Sequence, residues 1–381
     1  MRLCIVTGTR ADYGLLQPVI AATANDPAFD VKIVASCMHL SPEFGMTVDE
    51  IEADGFHVDA RVEMLLSSDD RFGVAKSMGL GVIGFADAFR TLAPDLIMLL
   101  GDRFEALAAA ETALICGIPV AHLSGGDVTY GAFDDSIRHA ITKMSHLHFV
   151  ASKDAQRRVC QLGEPLERVF AFGDPGLDRI LTMERMDRVA LEENLNFRFR
   201  EKTLLFTFHP VTIDKTPSAR QFETTLAALS DLGPDFGIVI TKPNADPEGR
   251  ELARMVEEFT EANENVVCFS SLGSLRYISL MAECDAVVGN SSSGLLEAPT
   301  LGVATVNIGD RQAGRLRAAS VIDCPVDRGA ITAAVRDAVT KDFTGIKNPY
   351  GDGHTAGRIV TELKKITNAK TLLKKVFVDR D

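Results

Sequence analysis

Short, nearly unbroken apolar runs recur along the chain, each followed by a longer stretch whose apolar residues fall at helical spacing. In the first half these runs are Leu3–Thr7, Val31–Ala35, Asp95–Leu100, Pro119–Ala121, Leu147–Ala151 and Val169–Phe172. Helical patterns separate them, among them Tyr13–Thr23, the small-residue-rich stretch within 71–92, and Arg103–Cys116. A strand apolar on both faces is what a sheet covered on both sides requires. The repeated strand–helix order therefore predicts a parallel, doubly wound sheet. Around Gly173-Asp174-Pro175-Gly176 the rhythm stops, and a charged helical stretch runs to about Asn196. It restarts with strands at Thr203–Thr207, Phe236–Thr241, Val266–Phe269, Ala286–Val288 and Ala304–Ile308. The expectation is an α/β protein of two Rossmann-like doubly wound domains, 1–173 and 174–353, with an inter-domain cleft. The tail 354–381 reads as one long basic helix ending near Lys375, packing back toward the first domain. A length of 381 residues fits two or three domains at roughly 150 residues each.

Composition narrows the partners. A net charge of −13 argues against nucleic acid, whose phosphates are bound through basic surfaces. It leaves room for a small anion held by individual arginines. No apolar run approaches the ~20 residues of a membrane span, and the apolar part of the N-terminus is too short for a signal peptide. Seven scattered cysteines with no C-x-x-C pair point away from a disulfide framework or a zinc site, and Cys4 and Cys116 read as core residues. The expectation is a cytoplasmic protein, with no membrane partner, no metal and no cofactor.

The polar motifs stand where strands end. His122 to His139, HLSGGDVTYGAFDDSIRH, follows a short apolar strand with a Gly-Gly pair and three acids, and Asp134-Asp135-Ser136 is an N-cap signal before Ile137, Ile141 and Met144. Asp102, after the strand ending at Leu100, reads either as a helix cap or as a catalytic carboxylate. Thr7-Gly8-Thr9-Arg10 opens a helix after the first strand, where an anion is favoured and Arg10 could add phosphate contacts. His209, before Pro210, is either a turn residue or a phosphate partner. Gly289-Asn290-Ser291-Ser292-Ser293-Gly294 resembles a cradle for a diphosphate, and Glu297, one turn on, is placed to accept from ribose hydroxyls. Arg311, Arg315 and Arg317 follow the strand ending at Ile308. Neither a dinucleotide G-x-G-x-x-G fingerprint nor a Walker A motif is present.

Taken together, GTRADYGLL at 8–16, GDRFEAL at 101–107, GGDVTYGAFDDSIRHAITKMSHLHF at 125–149, TFHPVT at 207–212, GNSSSGLLEAP at 289–299, VNIGDRQAGR at 306–315 and NPYGDG at 348–353 resemble the hydrolysing nucleotide-sugar 2-epimerases. The resemblance implies a glycosyltransferase-B arrangement and a metal-free reaction releasing UDP and the free C2-inverted sugar. It further implies that this sugar feeds nonulosonic (sialic or legionaminic) acid synthesis. It puts the catalytic acids on Asp102 and Asp134 and the family histidine on His209. The nucleotide contacts fall on Arg10, Arg103, Asn244, Ser291, Ser292, Ser293, Glu297 and Arg311. One departure stands out: the family commonly has an acid two residues after the histidine matching His122, and here that residue is Ser124. Either Asp127 takes over the role, or the sugar differs at a neighbouring carbon, as in relatives acting on 2,4-diacetamido-6-deoxy (bacillosamine-type) sugars.

The chemistry implied is elimination followed by hydration. Loss of the diphosphate makes C1 cationic, which acidifies C2; one carboxylate takes the C2 proton, and water then adds to the glycal. The sequence leaves open the sugar, uridine against guanosine, and which of Asp102 and Asp134 is base. A retaining glycosyltransferase, a non-hydrolysing epimerase and a sugar-nucleotide sensor are the alternative readings. A homo-oligomer, dimer or tetramer, is expected.

Overall fold

In the first strand, Leu3, Cys4, Ile5 and Val6 are all buried, because helices cover the sheet on both faces. The computed structural model describes residues 1–66, 71–128, 134–210, 216–242 and 247–380. They form two compact units, Met1–Arg179 with Tyr350–Asp381, and Ile180–Pro349.

The strands of the first unit are β1 (Arg2–Thr7), β2 (Asp30–Ser36), β3 (Val58–Val62), β4 (Leu96–Leu100), β5 (Val120–Leu123), β6 (Leu147–Val150) and β7 (Val169–Ala171). They pair in parallel in the order β3-β2-β1-β4-β5-β6-β7. Alternate residues feed two cores. Leu3, Ile5, Leu96 and Met98 pack with Leu16 and Ile20 of the helix Arg10–Ala24 and Ile359 and Leu363 of the helix Thr355–Leu363. Cys4, Val6, Ile97 and Leu99 pack on the opposite face with Phe85, Phe89, Ala109 and Ala113. Each large side chain buried in this way contributes about 1.5–3 kcal/mol.

The second unit holds β8 (Lys202–Thr207), β9 (Phe236–Thr241), β10 (Val266–Phe269), β11 (Ala286–Gly289), β12 (Ala304–Ile308) and β13 (Val321–Cys324). All pair in parallel, in the order β10-β9-β8-β11-β12-β13. Leu204, Phe206, Ile238 and Val288 face Phe222, Ile331 and Val335, while Leu205, Val239 and Val287 face Leu191, Leu195, Leu280 and Met281. Each unit is thus the Rossmann-like doubly wound sheet that the strand–helix rhythm implies.

Several details differ from the sequence reading. The unit boundaries fall at 179/180 and 349/350 rather than 173/174 and 353/354. The Asp174 N–H donates to the Tyr350 carbonyl at 2.7 Å, and the Asp178 carboxylate accepts from the Thr355 and Ala356 N–H groups at 2.9 and 2.7 Å, which ties residues 174–179 to the terminal helix. That helix ends at Leu363, and a short turn, Ala369–Leu373, begins anew where the Asn368 side chain accepts from the Lys370 N–H. Cys116 is exposed at the end of the helix Phe104–Ile115. The helix Phe72–Leu92 is long and apolar enough, by length and composition, to cross a membrane, which counting consecutive apolar residues misses. Its Phe85 and Phe89 are buried in the first unit's core and stack at 5.6 Å.

The chain's last residues fasten onto the helix Asp134–Met144. Lys375 Nζ donates to the carbonyls of Lys143 and Ser145, both at 2.7 Å, and pairs at 2.8 Å with Glu164, whose side chain is 0% exposed. Glu164 also takes Lys143 at 2.6 Å and His148 Nε2 at 3.1 Å. Burial pushes the Glu164 carboxyl up, but the hydrogen bonds from His148, Lys143 and Lys375 outweigh it and hold the group at about 2. Its folded pKa is depressed, so its stabilisation is full above roughly pH 4 and is lost as pH falls toward 2. Replacing Lys375 by Met leaves Glu164 two partners and two helix-end carbonyls without a donor. The expected loss is about 2 kcal/mol in urea unfolding at pH 7; a variant unfolding at the wild-type midpoint would show that the Lys375 contacts contribute nothing.

Candidate active site

Winding outward from β1 through β2 and β3, then turning back to β4, the first sheet reverses direction between β1 and β4; the second does so between β8 and β11. Loops leaving adjacent strands at such a point diverge and leave the carboxyl edge uncovered, which is where α/β sheets hold ligands. Arg10 follows β1, Asp102 and Arg103 follow β4, and Ser124 and Asp127 follow β5. In the second unit His209 follows β8, Ser291–Ser293 follow β11 and Arg311 follows β12.

The first set is organised by Arg138, on the helix Asp134–Met144 and only 5% exposed. At three and four residues beyond Asp135 and Asp134, it shares their helix face. Its Nη2 donates to Asp102 Oδ2, and its Nη1 donates to the Asp127 carbonyl at 2.8 Å and to Asp135 Oδ1 at 3.1 Å. Asp102 is therefore not a helix cap; Arg103 holds that position and the Asp102 carboxylate turns to Arg138. Asp134 and Asp135 lie in the first helical turn, favoured ground for negative charge, rather than ahead of it as the cap signal suggests. Burial, then the charge of Asp102, pushes the Asp134 carboxyl above its ordinary value, against Arg103 and Arg138.

Around these acids the backbone is pinned. The buried His122 donates from Nε2 to the Gly101 carbonyl at 2.7 Å, and its Nδ1 meets the Thr142 hydroxyl at 3.2 Å. Burial pushes this imidazole down to about 3, so it is neutral and fixes the residue before Asp102. Ser124 has φ +60, a left-handed conformation costly for a residue with a side chain. Arg103 donates from Nε to the buried Glu105, whose carboxylate lies against Gly8; a Cβ there would sit 2.4 Å from Glu105. Arg10 is exposed and pairs with Glu50 at 3.3 Å. The start of the helix Arg10–Ala24 already holds a carboxyl group of its own: Asp12 lies by the Gly8 N–H and the Thr9 hydroxyl.

In the second unit the Asn290 side chain binds both backbone groups of His209, accepting its N–H at 2.7 Å and donating to its carbonyl at 2.8 Å. The Asn290 main-chain carbonyl accepts from Arg311 Nη1 at 3.1 Å and from Gln312 Nε2 at 2.9 Å. Ser293 donates from Oγ to Glu297 Oε2, and Ser291 Oγ accepts the Ser293 N–H at 3.4 Å. Gly289, with φ +129, lets β11 close on β8; a Cβ would fall 1.9 Å from the Thr207 carbonyl oxygen. Asn244, and residues 129–133 of the 122–139 loop, lie outside the described residues.

The structure thus bonds the carboxylates of Asp102 and Asp135 and the main-chain carbonyl of Asp127 to one guanidinium in the first unit, with Asp134 within reach of its charge. In the second it joins His209 and Arg311 through one asparagine beside the serines. Sequence reasoning missed Arg138, His122, Glu105, Asn290 and Gln312 as partners of these groups. Only Arg138 left a usable signal, its helical spacing from the two acids.

A family model described as UDP-N-acetylglucosamine 2-epimerase matches residues 21–364. The chain is 38% identical over 383 residues to the GDP/UDP-N,N'-diacetylbacillosamine 2-epimerase (hydrolyzing) of Campylobacter jejuni, covering 99% of both sequences. It is 36% identical over 374 residues to the UDP-N,N'-diacetylbacillosamine 2-epimerase (hydrolyzing) of Legionella pneumophila, covering 98% of both. Among solved structures, the UDP-GlcNAc 2-epimerase of Neisseria meningitidis bound to UDP-GlcNAc superposes with a TM-score of 0.83 at 18% identity, covering 96% of this chain and 100% of that one.

Asp12 offers a pH test of the first unit. Burial and then the charge of Glu105 push its carboxyl up to about 7, against Arg103, the Thr9 hydroxyl and the Gly8 N–H. With the folded pKa raised, the stability this group contributes is complete below roughly pH 4 and is lost as pH rises through about 7. Asp12→Asn is expected to flatten that part of the pH dependence of the urea midpoint; parallel curves for the variant and the wild type between pH 4 and 8 would contradict it.

Proposed function

The chain belongs to the UDP-N-acetylglucosamine 2-epimerase family and is an enzyme of the hydrolysing nucleotide-sugar 2-epimerase type; from that premise we propose that its substrate is a UDP-linked 2,4-diacetamido-6-deoxy sugar of the bacillosamine type. The fold class is the glycosyltransferase-B-like pair of Rossmann-like sheets. Two observations favour this sugar over N-acetylglucosamine: the serine at position 124, where the family commonly has an acid, and the names of the relatives at 38% and 36% identity.

The observation that carries the mechanism is the buried Arg138, which takes the Asp102 carboxylate into an ion pair beside Asp134. It supports unequal roles for the two acids. Asp102, the ion-paired carboxylate, is the base that removes the C2 proton. Asp134, raised by burial and by its neighbour's charge, is the acid that returns a proton to C2 from the opposite face. Ser291–Ser293, His209, Arg311, Arg10 and Arg103 hold the diphosphate, and Glu297 takes the ribose hydroxyls. As the C1–O bond breaks, its electron pair leaves on the diphosphate, where these donors stabilise the growing charge. The C2 proton passes to Asp102 and a C1–C2 double bond forms. C2 then takes its new proton from Asp134 while water adds its oxygen to C1; the proton that water gives up restores Asp134, and Asp102 passes the proton it took from C2 to solvent. The products are UDP and the free C2-inverted sugar.

The two acids are expected to fail differently. Asp102→Asn loses about 10²–10⁴-fold in UDP release, because no base takes the C2 proton. Asp134→Asn still releases UDP but accumulates the glycal, visible by NMR. In deuterium oxide the wild-type product carries deuterium at C2. An unlabelled product would favour a glycosyltransferase, and a glycal accumulating in Asp102→Asn would exchange the two roles.

A further inference from the structure

We propose that Asn290 is a positioning residue that sets His209 and Arg311 in place for the nucleotide diphosphate. The inference rests on the reading of those two residues as diphosphate partners. Ladder pairing between β11 and β8 ends at Gly289 opposite Thr207, after which the Asn290 N–H still reaches the Thr207 carbonyl at 3.2 Å. Gly289, at φ +129, turns the main chain there, and among the described residues the β11–β8 ladder goes no further. The Asn290 side chain then does what a neighbouring strand would do: one amide takes both the N–H and the carbonyl of His209, at 2.7 and 2.8 Å. With Asn290 0% exposed, water does not compete for these bonds.

The same residue reaches the next strand. Its main-chain carbonyl collects donors from Arg311 and Gln312, so the ends of β8, β11 and β12 meet on one asparagine. The serines that follow it in sequence, the histidine bonded to its side chain and the arginine bonded to its carbonyl therefore share one reference point. The choice of an amide matters. An aspartate of the same shape would accept the His209 N–H but could not donate to the His209 carbonyl, and would set two acceptors face to face.

The test is a double-mutant cycle read by UDP affinity and by kcat and KM. Asn290→Asp is expected to weaken UDP binding by about 10-fold or more, from loss and reversal of one buried hydrogen bond. Asn290→Ala removes both bonds without the repulsion and is expected to do the same to a lesser degree, which keeps the test open if the aspartate variant does not fold. In a His209→Ala background, which keeps the backbone partners, the penalty of either variant should shrink by at least about 3-fold, because contacting residues couple. An unchanged penalty in that background, or wild-type UDP affinity in Asn290→Asp with an unaltered melting temperature, would overturn the positioning role while leaving the proposed function standing. A wild-type protein that neither binds UDP nor releases it from a nucleotide sugar would remove the function, and this assignment with it.

Discussion

The reversal of strand order in each sheet is the constraint on which the functional groups depend. Right-handed crossovers from β1 lead one way to β2 and from β4 the other way to β5, so the helices on the two sides part over the β1–β4 edge. The same holds over β8 and β11. Polar residues that would be intolerable inside a strand covered on both faces are admitted at its last position. Asp102, His209 and Asn290 each stand at that position or within two residues of it.

What the reversal leaves open, buried side chains then organise. Arg138 in one unit and Asn290 in the other do similar work by different means. The arginine gathers carboxylates by charge, and the asparagine gathers backbone groups by shape. This division suits the chemistry argued for each unit, since acid–base groups need a counter-ion nearby whereas phosphate donors need fixed directions.

The central strands were legible because they are apolar at nearly every position, and the acids were legible because they stand just past those runs. The outer strands β3 and β13 were not: both are partly exposed, and their mixed composition, VDARV and VIDC, blurs the pattern. The bonds that arrange the site were hidden for another reason. Asn290 and His209 are 81 residues apart, and His122 and Gly101 are 21 apart; each pair meets only because the sheet makes their strands neighbours. Residue types at a strand end can be read in order along the chain, whereas partners across a ladder require the strand order first.

The first unit is closed by residues made long after its sheet. Tyr350 onward belongs to that unit, with Ile359 and Leu363 in its core and Lys375 on Glu164, whereas Ile180–Pro349 is one continuous segment. During synthesis the second unit has all its residues before the first has its own, so the earlier-made sheet waits with an apolar face uncovered and a buried carboxylate short of one cation. Vectorial translation thus gives the later-encoded half the earlier opportunity to finish folding, and leaves the half bearing Asp102 and Asp134 without its full core until the last stretch emerges.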